Sequence, residues 1–196
     1  MNTLFPVEPV ETPFPNGFYY YPDFIQPAEE ESLLQAIRGI ELNTFHFQGY
    51  EAKRKVASFG YDWSFEKRTL TKGREIPDFF QGLLQKVATY LMLPVQNISE
   101  LLVTEYPAGS VINWHRDAPP FDAIMGISLL TDCVFKLRPY DKARQGRKDT
   151  VSFPVQRRSM YVIQNEARID WEHSIAPVKE KRYSITLRTL KENPIT

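Results

Sequence analysis

The chain has 196 residues, of which 42% are hydrophobic and 13% aromatic, enough for one domain, or one domain with an N-terminal extension, and too apolar for disorder throughout. No apolar run approaches the ~20 residues of a membrane helix, and the N-terminus lacks the basic-then-apolar pattern of a secretory signal. The formal net charge is zero, but residues 1–40 carry six acids and one base, which leaves 18 acids and 23 bases for the rest. Such a mildly basic body can hold a phosphate backbone without demonstrating one. Cys133 is the lone cysteine, so no internal disulfide is available and a cytoplasmic setting is expected.

Residues 1–22 combine Pro6, Pro9, Pro13 and Pro15 with Phe18-Tyr19-Tyr20-Tyr21-Pro22, and read as an extended arm that ends in a short strand. Pro27 to Ile40 reads as a helix. Proline suits the first helical position, Glu29, Glu30 and Glu31 favour the positive end of the dipole, and Leu33, Leu34, Ile37 and Ile40 form the buried stripe. Gly39 marks its end.

Residues 43–72 admit two readings. Lys53-Arg54-Lys55 precede Phe59, Tyr61 and Trp63, and bases interleaved with aromatics can hold phosphates and stack on a flat substrate. The alternative is an amphipathic hairpin whose aromatics are core and whose charges are solvated. Pro77 to Leu93 is a second predicted helix, with Phe80, Leu83, Leu84, Val87 and Leu91 on one face. From Glu100 onward come short strands: 101–106, 123–131, 133–137, 150–153, 159–164 and 182–190. Residues 141–149 between them read as a mobile, basic loop. Two helices followed by many strands predict an α+β chain with a sandwich or jelly-roll β part.

His115 and Asp117 lie two apart, so an extended backbone turns both to one face. His173 comes 58 residues later. Two histidines and a carboxylate, with positions left open, are the ligand set of non-haem Fe(II) oxygenases. The remaining histidine, His46, reads as a surface or satisfied polar residue. In Arg182-Tyr183-Ser184-Ile185-Thr186-Leu187-Arg188, alternation puts Arg182, Ser184, Thr186 and Arg188 on one face. If that face is internal, its arginines need anionic partners, and a dicarboxylate would supply them. If it is external, they are solvated. Alternation leaves both open.

Taken together, His115-Arg116-Asp117, Glu172-His173-Ser174-Ile175-Ala176-Pro177 and the 182–188 segment resemble the AlkB family of Fe(II)- and 2-oxoglutarate-dependent dioxygenases. The resemblance runs from about Phe45 to Leu190 and implies a single domain, 1–196. Its core is a double-stranded β-helix (jelly roll) over 100–190, with helices packed on one side and an N-terminal substrate lid over 43–72. It implies iron on His115, Asp117 and His173, the catalytic set. It implies 2-oxoglutarate held by Arg182 and Arg188 with Tyr106, Thr104 and Ser184 beside it, and dioxygen as second cosubstrate. It places Arg54, Phe59, Tyr61, Trp63 and Arg116 at the lid and substrate entrance, with Lys53 to Lys55 facing a nucleic-acid backbone.

The activity implied is oxidative dealkylation of alkylated bases in DNA or RNA, a nucleic-acid repair reaction on a flipped-out base. Two positions depart from the family pattern. Thr104 stands where asparagine is frequent. Ala118-Pro119-Pro120-Phe121 stands where base-repair members carry acids. The Arg54-x-Val56-x-x-Phe59-Gly60-Tyr61 pattern is similar to relatives that hydroxylate modified tRNA bases. The same chemistry on a tRNA base, a protein side chain or a small molecule is therefore the alternative. A cupin-like sandwich with a non-redox metal, or none, is the third. No obligate protein partner is expected.

Overall fold

The structure of the protein, a computed structural model, describes residues 14–47 and 50–192, with residues 46, 47 and 50 described in backbone only. Pro6, Pro9 and Pro13 of the predicted arm, and the side chain of His46, lie outside the described residues.

In chain order the elements are β1 (Phe18–Tyr21), α1 (Pro27–Arg38), β2 (Asn43–Phe47), β3 (Tyr50–Ser64), β4 (Thr69–Lys72), α2 (Gln81–Tyr90), β5 (Ile98–Tyr106), β6 (Ile112–His115), β7 (Phe121–Leu129), β8 (Cys133–Pro139), β9 (Val151–Val155), β10 (Met160–Ile163), α3 (Asn165–Ile169), β11 (Trp171–Ile175) and β12 (Arg182–Leu190). An eight-stranded sheet runs β1-β10-β7-β12-β5-β3-β2, with β4 paired to β3. A four-stranded sheet runs β6-β11-β8-β9. Among the described residues the strand pairings are all antiparallel. The two sheets form the jelly roll that the sequence predicts.

The large sheet is covered on both faces. Tyr183, Ile185 and Leu187 of β12 join an outer cluster with Leu33, Leu34 and Ile37 of α1 and Leu83, Leu84 and Val87 of α2. The helices therefore cover that face, as their stripes predict. An inner cluster between the sheets gathers Tyr106, Phe121, Phe135, Leu137, Tyr161 and Ile175. Gly126 of β7 lies opposite Tyr161 of β10, and a β-carbon at Gly126 would collide with the tyrosine ring. The missing side chain lets that ring lie down in the inner core.

Helix α1 is docked by charge as well as by its stripe. Glu29 accepts from the Gln26 N–H at 2.6 Å and pairs with Lys86 of α2 at 2.7 Å. Glu30, read in the sequence as a dipole charge, is wholly buried. It accepts from the Leu130 N–H at 2.8 Å and from Arg157 Nε at 2.7 Å. Leu130 holds φ 75°, a conformation costly for a branched side chain, so Glu30 anchors a strained turn to the helix.

Residues 43–72 form three antiparallel strands of the large sheet, with Phe59 in the core and Lys53 and Lys55 exposed, as the amphipathic-hairpin reading has it. Gly60, at φ 83°, interrupts the 15-residue β3. Its N–H donates to the Arg74 carbonyl at 2.6 Å and its own carbonyl accepts from Gly73 at 2.7 Å. Before it, Ala57 and Phe59 belong to the outer cluster. After it, Trp63 packs with Leu70 on the inner cluster, although 59 and 63 share parity. A left-handed residue shifts the alternation between them. The second predicted helix is shorter than expected, with a 3-10 turn over Asp78–Phe80 before α2. The 141–149 loop forms two 3-10 turns and is tethered, because Gln145 Nε2 donates to the Tyr140 carbonyl at 3.1 Å and to Glu172 at 3.3 Å.

Candidate metal centre

β6 and β11 are neighbours in the small sheet, in a register that sets His115 directly opposite His173. Antiparallel pairing thus brings residues 58 apart in sequence into contact, with ring centroids 4.3 Å apart. Asp117 follows two residues beyond His115, where β6 has ended. One potential ligand atom from each of the three lies within 4.8 Å of the others.

Each ligand is held from behind. His115 Nδ1 lies 2.8 Å from the Asn113 carbonyl, an acceptor, so Nδ1 carries a proton and Nε2 is the nitrogen left to ligate. The His173 ring stacks on Phe135 at 5.4 Å. Burial, with a contribution from His115, pushes His173 down to about 3, so it is neutral and able to ligate. The Asp117 side chain is 4% exposed. Burial alone would raise its carboxyl, but Arg188, with Arg168 beyond it, holds it well below the usual carboxylate range. Asp117 Oδ1 accepts from Arg188 Nε at 2.9 Å and Nη2 at 2.6 Å. Its other oxygen, Oδ2, is buried without a hydrogen-bond partner and lies 3.5 Å from His173 Nε2.

The strand β12 decides the question its alternation left open. Arg182, Ser184 and Thr186 are buried and the Arg188 side chain is 13% exposed, so the polar face is internal. Arg188 is committed to protein carboxylates, since its Nη1 also donates to Glu100 Oε2 at 2.5 Å. Ser58 Oγ reaches the other Glu100 oxygen at 3.4 Å. Arg182 is different. It is 1% exposed, Nε donates to Ser128 Oγ at 3.1 Å, the guanidinium lies over the Tyr106 ring at 5.0 Å, and Nη1 has no partner. Among the described residues no carboxylate pairs with it. Thr104 and Ser184 stand opposite each other on β5 and β12, and Ser184 Oγ donates to the Tyr106 hydroxyl at 3.4 Å. An unmatched donor on a buried cation and an unmatched oxygen on a buried carboxylate fit a dicarboxylate and a divalent metal.

Residues 17–189 match the 2OG-Fe(II) oxygenase superfamily. The chain belongs to that superfamily. Within it the chain is an AlkB-family member, and the superfamily works with Fe(II), 2-oxoglutarate and dioxygen. It is similar to the "Alkylated DNA repair protein ALKBH8 homolog" of Arabidopsis thaliana, with 30% identity over 91% of this chain and 59% of that protein. It is similar to the "tRNA (carboxymethyluridine(34)-5-O)-methyltransferase ALKBH8" of Mus musculus, with 26% identity over 84% of this chain and 25% of the other. The "Probable RNA/DNA demethylase ALKBH6" of Danio rerio is 26% identical over 85% and 72%. The solved structure of OsALKBH1 superposes with a TM-score of 0.68 at 13% identity, covering 93% of this chain and 98% of its own, a likeness of fold. The chain spans about three fifths of the Arabidopsis relative and a quarter of the mouse one. Membership in this superfamily decides against the metal-free sandwich.

Two expectations need correction. Phe59 is not at an entrance, because it is buried in the outer cluster with Arg74 over its ring at 4.5 Å. Lys55 stands opposite Glu105 of β5 and shares the parity of Ala57 and Phe59, so it lies toward the helix side. Arg116 stays exposed while stacking on Tyr140 at 3.6 Å and donating to the Ile169 carbonyl at 2.8 Å. Arg54 lies over Phe45 at 4.1 Å, and Tyr61 and Trp63 are half-buried on β3. Sequence reading missed Glu100 and Arg168. Glu100 could have been suspected as an acid inside the apolar 98–106 run.

Proposed function

We propose that this dioxygenase acts on alkylated bases of DNA or RNA, binding iron through His115, Asp117 and His173 and 2-oxoglutarate through Arg182. The observation that carries the cosubstrate assignment is the unmatched Nη1 of Arg182 in a buried, aromatic and hydroxyl-lined setting. A carboxylate there completes a charge pair that the protein itself leaves open. Tyr106, Thr104 and Ser184 flank that position and supply hydroxyls. Arg188 keeps Asp117 ionised and turned inward. When bound, iron with 2-oxoglutarate and dioxygen supplies hydroxylation of a C–H bond. On a carbon attached to a ring nitrogen, that chemistry ends in release of an aldehyde.

Residues 43–72 serve in this reading as the substrate lid, with Arg54, Tyr61 and Trp63 as its contact side chains. Support for a nucleic-acid substrate comes from the names of the relatives and from Arg54, Tyr61 and Trp63 of β3. We also place the protein in the cytoplasm. That setting suits Cys133, whose thiol is buried and pushed up by burial. Among the described residues no helix is long and apolar enough to cross a membrane.

The test is anaerobic loading with Fe(II) and 2-oxoglutarate, followed by oxygen and a panel of alkylated DNA and RNA oligonucleotides. Succinate and formaldehyde released in step are expected. A second reading, hydroxylation of a modified tRNA base, a protein side chain or a small molecule, is favoured by Ala118-Pro119-Pro120-Phe121, which offers no acid to a substrate base. Hydroxylated product without aldehyde would select it. Succinate formation that no substrate stimulates, with no binding to single-stranded nucleic acid at low salt, would sink the nucleic-acid reading.

A further inference from the structure

The segment that carries Asp117 into β7 is poor in its own hydrogen-bond donors. Pro119 and Pro120 have no backbone N–H. Within the segment a turn is closed by the Phe121 N–H donating to the Ala118 carbonyl at 3.2 Å. One side-chain nitrogen reaches the carbonyls of 117, 118 and 121 together. Arg168 Nη2 donates to the Asp117 carbonyl at 3.2 Å, the Ala118 carbonyl at 2.7 Å and the Phe121 carbonyl at 3.0 Å. Arg168 is 8% exposed and sits on α3, a short helix leading directly into the β11 strand of His173. The contact is reciprocal, because Arg116, next to Asp117, donates to the carbonyl of Ile169 that ends α3.

We infer that Arg168 is a positioning residue of the metal centre. It fixes the backbone of Asp117 while Arg188 fixes the side chain, and with Arg116 it locks the Asp117 segment to the helix preceding His173. The two ligand-bearing segments are thus joined by a two-arginine clasp in addition to the β6–β11 pairing. This inference rests on the iron reading proposed above.

The test compares wild type, Arg168→Met and Arg168→Lys as full chains, anaerobically, using Co(II) as the probe metal. Methionine keeps length without donors, and lysine keeps the charge on a single donor atom. Arg168→Met is expected to raise the Co(II) Kd by about 10- to 100-fold and to change the Co(II) visible spectrum. Far-ultraviolet circular dichroism of the apo chain should stay native. Arg168→Lys should fall between. Wild-type affinity and spectrum in a folded Arg168→Met, with lowered thermal stability alone, would make Arg168 a merely structural residue and overturn the inference. If Arg168→Met does not fold, Arg168→Lys decides: a wild-type Kd and spectrum overturn the inference, and a Kd raised several-fold sustains it. Failure of the wild type to bind Co(II) would instead remove the iron reading itself.

Discussion

Arg182 and Arg188 lie on one strand, on one face, six residues apart, and both are buried, yet their surroundings are opposite. Arg188 sits between Asp117 and Glu100 and donates to both carboxylates. Arg182 has a serine hydroxyl, an aromatic face and an unmatched nitrogen. A buried cation matched within the chain holds structure together. A buried cation left unmatched is kept for something that arrives from outside. The strand places the two arginines alike, and their neighbours on β5 and β7 divide the work between them.

The comparison can be broken by removing each charge in turn. Arg188→Met leaves two buried carboxylates without their partner, and apo stability in urea should fall by about 3–5 kcal/mol. A loss under about 1 kcal/mol would show that Asp117 and Glu100 do not depend on it. Saturating 2-oxoglutarate with a redox-inert divalent metal should stabilise wild type, by about 2.7 kcal/mol at a hundredfold excess over Kd. That increment should vanish in Arg182→Met, and its survival there would assign the cosubstrate elsewhere. Glu100→Gln keeps the shape and removes one of the two charges on Arg188, so a loss of about 2 kcal/mol is expected, measured by the same unfolding curves. The smallest effect should come from Arg182→Met in the apo protein. Deleting an unmatched buried charge should leave stability within about 1 kcal/mol of wild type, while the KM for 2-oxoglutarate rises sharply. A large apo destabilisation by Arg182→Met would erase the contrast between the two arginines.

Much of this was legible in the residues. The bounds of β12 coincide with the alternating run 182–190, and the His-x-Asp and the later histidine come together as their residue types foretell. What alternation could not say was which face of β12 is internal, because both are. The odd face is closed by α1 and α2, and only the packing of distant helices determines that. Phe59 and Trp63 misled for a different reason. Equal parity promised equal facing, and the shift at Gly60 depends on a positive φ that a glycine permits without announcing. Arg168 reads in sequence as a last-turn cation of a short helix. Its carbonyl partners lie 47 to 51 residues away, beyond the reach of any local pattern.

The place of β12 in the large sheet has a kinetic consequence. It is the last described strand in the chain, yet it inserts between β5 and β7, in the middle of the sheet. A nascent chain that has not reached residue 182 has neither arginine. It also presents the facing edges of β5 and β7 as unpaired templates for other chains. Assembly of the site is therefore a late event with long loops to close, and it turns slow, non-local zipping of one strand into the step that creates a working centre. Chains interrupted before that step would be recognised by aggregation through those two edges rather than by a weakened activity.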